Sequence, residues 1–300
     1  MLPTPSTSHV PYARVYEPAE DSFLLLDTLS APSETAFLAT RFPITTTPNP
    51  LSPTPTPTTT TPSLSPSPTP LILEIGPGSG VVLAFLTAHA HTLFSRRDVL
   101  TLGIDVNRFA CAATRETVRR AVRDDALPLE VGAEAASGAG VGVGAGLGTG
   151  AGYHLGTAQG DLVGAVRAGS VDVLVFNPPY VPTPELPSMY QQGGEGEGGG
   201  QATTTTTTAA AYEEDSRLLA LSYAGGRDGM EITDRLIEAL PEVLSSRGVA
   251  YLLLCAQNKP EEVKGRIRGL EGGLWQAETV GTSGKQAGWE KLQIVRIWRE

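Results

Sequence analysis

Strand-like and helix-like segments alternate along this chain, and that alternation limits the folds open to it. The strand-like runs are "LILEIG" (Leu71 to Gly76), "VLTLGIDV" (Val99 to Val106), the weaker "YHLGTAQGDL", "VDVLVF" (Val171 to Phe176) and "GVAYLLLCA". Helical spacing marks "VVLAFLTAHAHTLF", "RFACAATRETVRRAVRDDA", "GMEITDRLIEALPEVL" and "PEEVKGRIRGL". Apolar strands separated by amphipathic helices predict a parallel sheet with crossover helices. The last two strand-like segments, "WQAETVGTS" and "KLQIVRIWR", have no helix between them, so they should pair antiparallel. The expected fold is therefore α/β: a mostly parallel, seven-stranded sheet that ends in a C-terminal antiparallel hairpin.

Three stretches fall outside this pattern. Residues from about 42 to 70 are almost all Thr, Pro and Ser, those from about 132 to 152 are Gly and Ala, and those from about 191 to 211 are Gly and Glu followed by Thr and Ala. None can bury enough apolar surface to offset its chain entropy, and all three are expected to be disordered insertions. The rest, roughly 220 to 230 residues, suits a single domain spanning 1–300.

A formal charge of −10 argues against a nucleic-acid partner, which calls for a basic stripe. The arginines of "RETVRRAVR" read as a solvated helix face. Cys111 and Cys255 lie far apart without CxxC or histidine spacing, so they read as small core residues in a reducing compartment, and no metal site is expected. No apolar run is long enough to span a bilayer and the N-terminus has no signal-like h-region. The expected location is the cytoplasm, with the nucleus as a second compartment. His89 and His91 read as packing or surface residues, and His9 and His154 fall in weakly structured sequence.

Upstream of the first strand, "VYEPAEDSFLLLDTL" signals a helix start. Pro18 stands in the first turn, with acids at Glu17, Glu20 and Asp21 favoured there by the helix dipole. The helix is expected to cover the functional edge of the sheet.

In "EIGPGSG", Gly76, Gly78 and Gly80 sit at the carboxyl end of the first strand, where open α/β sheets bind ligands and a glycine turn lets the backbone approach. Asp105 ends the second strand in "GIDVN", placed to accept hydrogen bonds from ribose hydroxyls. Asp161 and Leu162 follow the third strand, where the carboxylate can take an adenine amine and the leucine N–H a ring nitrogen. A nucleoside-containing ligand is expected.

After "VDVLVF" the chain turns stiffly through Asn177, Pro178, Pro179 and Tyr180, since consecutive prolines extend neither a ladder nor a helix interior. An amine conjugated to a carbonyl or an aromatic ring is a poor nucleophile with two in-plane N–H donors. The Asn177 side-chain carbonyl and the Pro178 main-chain carbonyl can accept both, neither proline adds a competing donor, and Tyr180 can stack on the π face. Such rigidity is the source of orientation and electrostatic preorganisation.

"FNPPY" after the fourth strand together with "LEIGPGSG" resembles the amino-methyltransferases of the Rossmann-like, class I, S-adenosylmethionine-dependent group. "VYEPAEDSFLLLDTL", "GSGVVLAFL", "AGGRDGMEITDRL" and "KQAGWEKLQIVRIW" are similar to the eukaryotic and archaeal branch of the HemK-type protein glutamine methyltransferases. The resemblance covers the chain from about Val15 to Arg299. It implies methylation of the glutamine in the Gly-Gly-Gln loop of the class I translation termination (release) factor. It also implies cofactor contacts at Ser22, Glu74, Gly76, Gly78, Asp105, Asp161, Leu162 and Asn177, and a catalytic motif at Asn177, Pro178, Pro179 and Tyr180. A small zinc-binding activator subunit is implied as a heterodimer partner, with the third strand as docking edge. Competing readings are a DNA adenine methyltransferase using the same motif, a protein lysine methyltransferase, a nicotinamide dehydrogenase and a non-catalytic scaffold.

Overall fold

The computed structural model describes residues 2–44, 67–126, 150–188, 204–284 and 291–300. Two helices open the chain, α1 (Glu20–Leu29) and α2 (Pro32–Arg41). Strand β1 (Leu71–Ile75) leads through the glycine turn into α3 (Val81–Ala88) and α4 (Ala90–Phe94), followed by β2 (Leu100–Asp105), α5 (Arg108–Ala126), β3 (Tyr153–Gln159) and β4 (Val171–Phe176). The C-terminal half comprises α6 (Thr204–Tyr223), α7 (Glu231–Val243), β5 (Leu244–Cys255), α8 (Pro260–Arg268), β6 (Trp275–Thr282) and β7 (Leu292–Arg299).

The seven strands form one sheet in the order β3-β2-β1-β4-β5-β7-β6. β3, β2, β1, β4 and β5 pair in parallel, and β7 runs antiparallel to both β5 and β6. The expected α/β architecture with its antiparallel hairpin is therefore the one found. β4 is buried at every position, as a central parallel strand covered on both faces must be. Alternate residues divide between two cores: Ile72, Val173 and Tyr251 pack with α1 and α3 on one face, while Leu73, Leu174 and Leu252 pack with α7 and α8 on the other. Cys111 and Cys255 are buried, and neither forms a disulfide among the described residues.

The structure departs from the sequence reading in several places. Helix α1 begins at Glu20, with Ala19 as N-cap, so Pro18 precedes the helix. The single helix expected after the glycine turn breaks at His89, whose backbone leaves the helical region (φ −102°, ψ 23°). That histidine packs edge-on against Phe85 and bonds the Pro3 carbonyl. His9 and His154 are both in ordered structure: His9 contacts the Ala113 carbonyl and Thr117 hydroxyl of α5, and His154 lies in β3. Helix α2 was not anticipated. Its Glu34 looks like a solvent-facing acid, yet it is buried, bonded by the Tyr251 hydroxyl and both oxygens paired with Arg296.

Parts of the expected insertions are ordered. Phe42 is fully buried, Gly152 donates to the Thr87 carbonyl, and the backbone of 204–211 begins α6. A Thr-rich composition lowers helix propensity without forbidding a helix. The remainders of the three, 45–66, 132–149 and 191–203, lie outside the described residues. Among the described residues no helix is long and apolar enough to cross a membrane.

Candidate functional site

A cavity of about 370 Å³ opens at the carboxyl ends of the central strands. From β1 the chain proceeds to β2 on one side, while β4 flanks β1 on the other, and this switch point is where open α/β sheets form ligand crevices. The glycine turn forms the floor. Gly76 donates its N–H to the Ile104 carbonyl (2.8 Å), joining the turn to β2. At Gly80 a Cβ would stand 2.6 Å from the Thr114 Cα, so the close approach of α3 to α5 needs glycine.

Two carboxyl groups sit above this turn. Asp105 accepts from the Asn107 N–H (2.8 Å) and the Gly78 N–H (3.1 Å), one on each oxygen, and each oxygen retains a lone pair. Burial nevertheless pushes its pKa up to about 6. Glu74 is buried next to it, and burial, reinforced by the Asp105 charge, raises its pKa to about 8. Glu74 Oε2 has no hydrogen-bond partner among the described residues. An unpaired buried oxygen is costly, and a ligand donor would relieve that cost.

Past β3, Leu162 adopts a left-handed backbone (φ 48°) and Asp161 accepts from Arg235 of α7 (2.5 Å). On the opposite wall, Asn177 donates its Nδ2–H to Asp21 Oδ2 (3.0 Å). A carboxylate only accepts, so this contact determines which end of the Asn177 amide faces α1. Asn177 Oδ1 is left buried without a partner among the described residues. The same carboxylate takes the Tyr16 hydroxyl on Oδ2, and the Ser22 N–H and hydroxyl on Oδ1.

All eight sequence-predicted cofactor residues line this cavity, as does Pro179. Pro178 and Tyr180 do not. Pro178 is buried, and the Tyr180 side chain packs against the α1/α3 core. The Tyr180 ring is half-buried beside the motif, with part of it against that core. Sequence reasoning missed Tyr16, Asn107 and Arg235, which also line the cavity, and Asp21 behind it. Asp21 was visible beside Ser22, but the helix-dipole explanation of an acid in a first turn already accounted for it. Leu186, Leu218 and Leu221 supply an apolar wall, two of them from the unanticipated α6.

The two orphaned acceptors, the carboxylate at the end of β2 and the glycine turn suit a ligand that brings hydroxyl and amine donors. No family model matches the chain. A mouse protein named methyltransferase HEMK2 is 31% identical over 304 residues, covering 99% of this chain and 96% of its own length. The eRF1 methyltransferase catalytic subunit mtq2 of Schizosaccharomyces pombe is 27% identical over 100% of this chain and 96% of its own. A Methanocaldococcus jannaschii protein named as a protein N5-glutamine methyltransferase is 24% identical over 68% of this chain and 82% of its own. With its fold, its glycine turn and its NPPY motif alongside near full-length similarity, the chain belongs to the HEMK2 family of HemK-type protein glutamine methyltransferases, enzymes that use S-adenosylmethionine.

Proposed function

We propose that this chain methylates the side-chain amide of the glutamine in the Gly-Gly-Gln motif of the class I release factor. The observation that carries the reading is Asn177: its nitrogen is committed to Asp21, and its buried Oδ1 has no partner among the described residues. A primary amide offers two N–H donors and a delocalised lone pair. In this reading Asn177 Oδ1 accepts one N–H and the Pro178 carbonyl the other, which orients the nitrogen without a competing donor from either proline. Pro179 stiffens the turn. The amide nitrogen becomes acidic only as its new bond forms, so no general base is needed at the outset.

Bound S-adenosylmethionine supplies the electrophilic sulfonium methyl group. Asp105 would hold its ribose hydroxyls, Asp161 its adenine amine and the Leu162 N–H a ring nitrogen. Ser22, Glu74, Gly76 and Gly78 complete the contacts, and the orphaned Glu74 Oε2 supports that assignment. The name of the S. pombe relative, an eRF1 methyltransferase subunit, supports the substrate.

The partner in this reading is a small zinc-binding activator subunit that docks on β3. This strand is an edge of the sheet and exposes Tyr153 (64%) and Leu155 (58%), an apolar strip on an edge that can take a further strand. The deciding test is a methyl-transfer assay of the chain co-expressed with such a subunit. It is offered the release factor and adenine-containing duplex DNA, and mass spectrometry locates the methyl. Methyl on the Gly-Gly-Gln glutamine, lost in Asn177→Ala, is expected; methyl on adenine alone would overturn the reading.

A further inference from the structure

The sequence motif "AGGRDG" and the end of β5 have no part in the chemistry described so far, yet both press on the back of the Pro-Pro-Tyr segment. Two prolines in succession leave that segment without N–H groups of its own at 178 and 179, so it must be held through its carbonyls and from its flanks. Val181 donates to the Tyr223 carbonyl (3.0 Å) and accepts from the Gly225 N–H (2.8 Å). Backbone then lies directly against backbone: a Cβ on Gly225 would stand 2.2 Å from the Pro179 oxygen, and one on Gly229 2.0 Å from the Tyr180 oxygen. Only glycine fits at either position.

One side chain ties these pieces together. Asn258, 2% exposed in the short 3-10 turn Ala256–Asn258 that follows β5, donates from Nδ2 to the carbonyls of Tyr180 (3.1 Å) and Asp228 (3.0 Å). Its Oδ1 accepts the Cys255 N–H (2.8 Å). Both amide hydrogens and the oxygen are therefore engaged, on three separate pieces of backbone: the NPPY segment, the glycine turn and the strand end.

We propose that Asn258 is a positioning residue for methyl transfer, which sets the Pro178 carbonyl through the Tyr180 peptide. This rests on the reading that Asn177 and Pro178 hold the substrate amide. Asn258 bonds none of the residues assigned to the cofactor, and all of these but Asn177 lie outside the NPPY segment, with Glu74 in β1, Asp105 in β2, and Gly76 and Asp161 in the turns that follow β1 and β3. Its loss should therefore displace the amide acceptors and leave cofactor binding in place. A misplacement of about 1 Å at such a site costs on the order of a hundredfold in rate.

The test measures two quantities on Asn258→Ala: the Kd for S-adenosylhomocysteine by calorimetry, and the single-turnover rate of methyl transfer to the release factor with the activator subunit present. Expected are a Kd within about twofold of wild type and a rate lower by about tenfold to a hundredfold. An unchanged rate, or a Kd weakened in proportion to the rate, overturns the proposal. Asn258→Ser, a smaller perturbation that keeps a donor, is measured the same way should the alanine variant fail to fold. Asn177→Ala serves as the reference. If it keeps full activity, the underlying reading fails; if it is inactive while Asn258→Ala runs at the wild-type rate, only the Asn258 proposal fails.

Discussion

Asn177 and Asp21 stand 156 residues apart in sequence and share one hydrogen bond of 3.0 Å, which joins the first helix to the NPPY motif. The bond gives Asp21 a role that its position in a first helical turn conceals: it dictates the orientation of the Asn177 amide. Asp21→Ala should free that amide to rotate and lower the methyl-transfer rate by about tenfold to a hundredfold. Single-turnover kinetics at saturating cofactor checks this, and a rate within twofold of wild type would remove Asp21 from the mechanism.

Glu74 makes the ligand-free protein sensitive to pH. Its folded pKa, about 8, exceeds the ordinary 4.5, so between these values the folded state holds more protons than the unfolded chain. Stability must then fall as pH rises through that window. Asp105 acts the same way between 3.8 and about 6. The melting temperature without ligand should drop by about 2 to 8 °C from pH 6 to pH 8, what 1 to 2 kcal/mol amounts to in a domain of this size. Glu74→Gln should flatten that slope, and calorimetry across the range would reveal a persisting slope if another group is responsible.

Arg235 and Asp161 form an exposed pair at the cavity rim, with side chains 47% and 36% accessible. Such pairs contribute only about 0.2 to 1 kcal/mol. Arg235→Ala should accordingly weaken S-adenosylhomocysteine binding by no more than about fivefold, whereas Asp161→Ala, which removes the proposed adenine acceptor itself, should cost more. Equal losses in the two variants, measured by titration, would mean that the arginine contacts the ligand directly.

The Glu34 cluster is a stability element remote from the chemistry. Its carboxylate accepts from Arg296 (2.9 and 3.1 Å) and from the Tyr251 hydroxyl (2.9 Å), and burial, with the Glu34 charge, raises the Tyr251 pKa. Removing one partner of a buried pair leaves the other uncompensated, so Glu34→Ala should cost about 3 kcal/mol in urea unfolding with cofactor affinity unchanged. A cost below about 1 kcal/mol would show that water replaces the carboxylate.

On the edge strand, Leu155→Asp should abolish co-purification with the proposed zinc-binding subunit without lowering the melting temperature of the isolated chain, because that residue is already more than half exposed. Retention of the complex would point to another face.

The sheet was legible because β1, β2, β4 and the second half of β5 are short, mostly apolar runs bounded by Gly76, Asp105, Asn177 and Cys255, and a parallel sheet writes that signature directly. The cofactor side was legible for a related reason: Glu74, Gly76, Asp105 and Asp161 each stand at or just beyond a strand end. What stayed hidden depends on contacts distant in sequence. Asp21, Glu34 and Asn258 are polar residues near helix starts or turns, where solvent exposure is the ordinary expectation, and only their remote partners make them buried nodes.

The connectivity of the sheet divides this chain's freedom to vary. The segments 45–66 and 127–149 join helices to the starts of β1 and β3, while 189–203 leaves from the NPPY side. In a parallel sheet the two ends of the strands have separate duties, one for turning the chain back and the other for chemistry. The first two segments lead into strands at their amino ends, away from Glu74, Asp105 and Asn177. The third is bounded by Ser188 and α6, and since Pro187 and Leu218 wall the cavity, a change in its length would act on two of the walls at once.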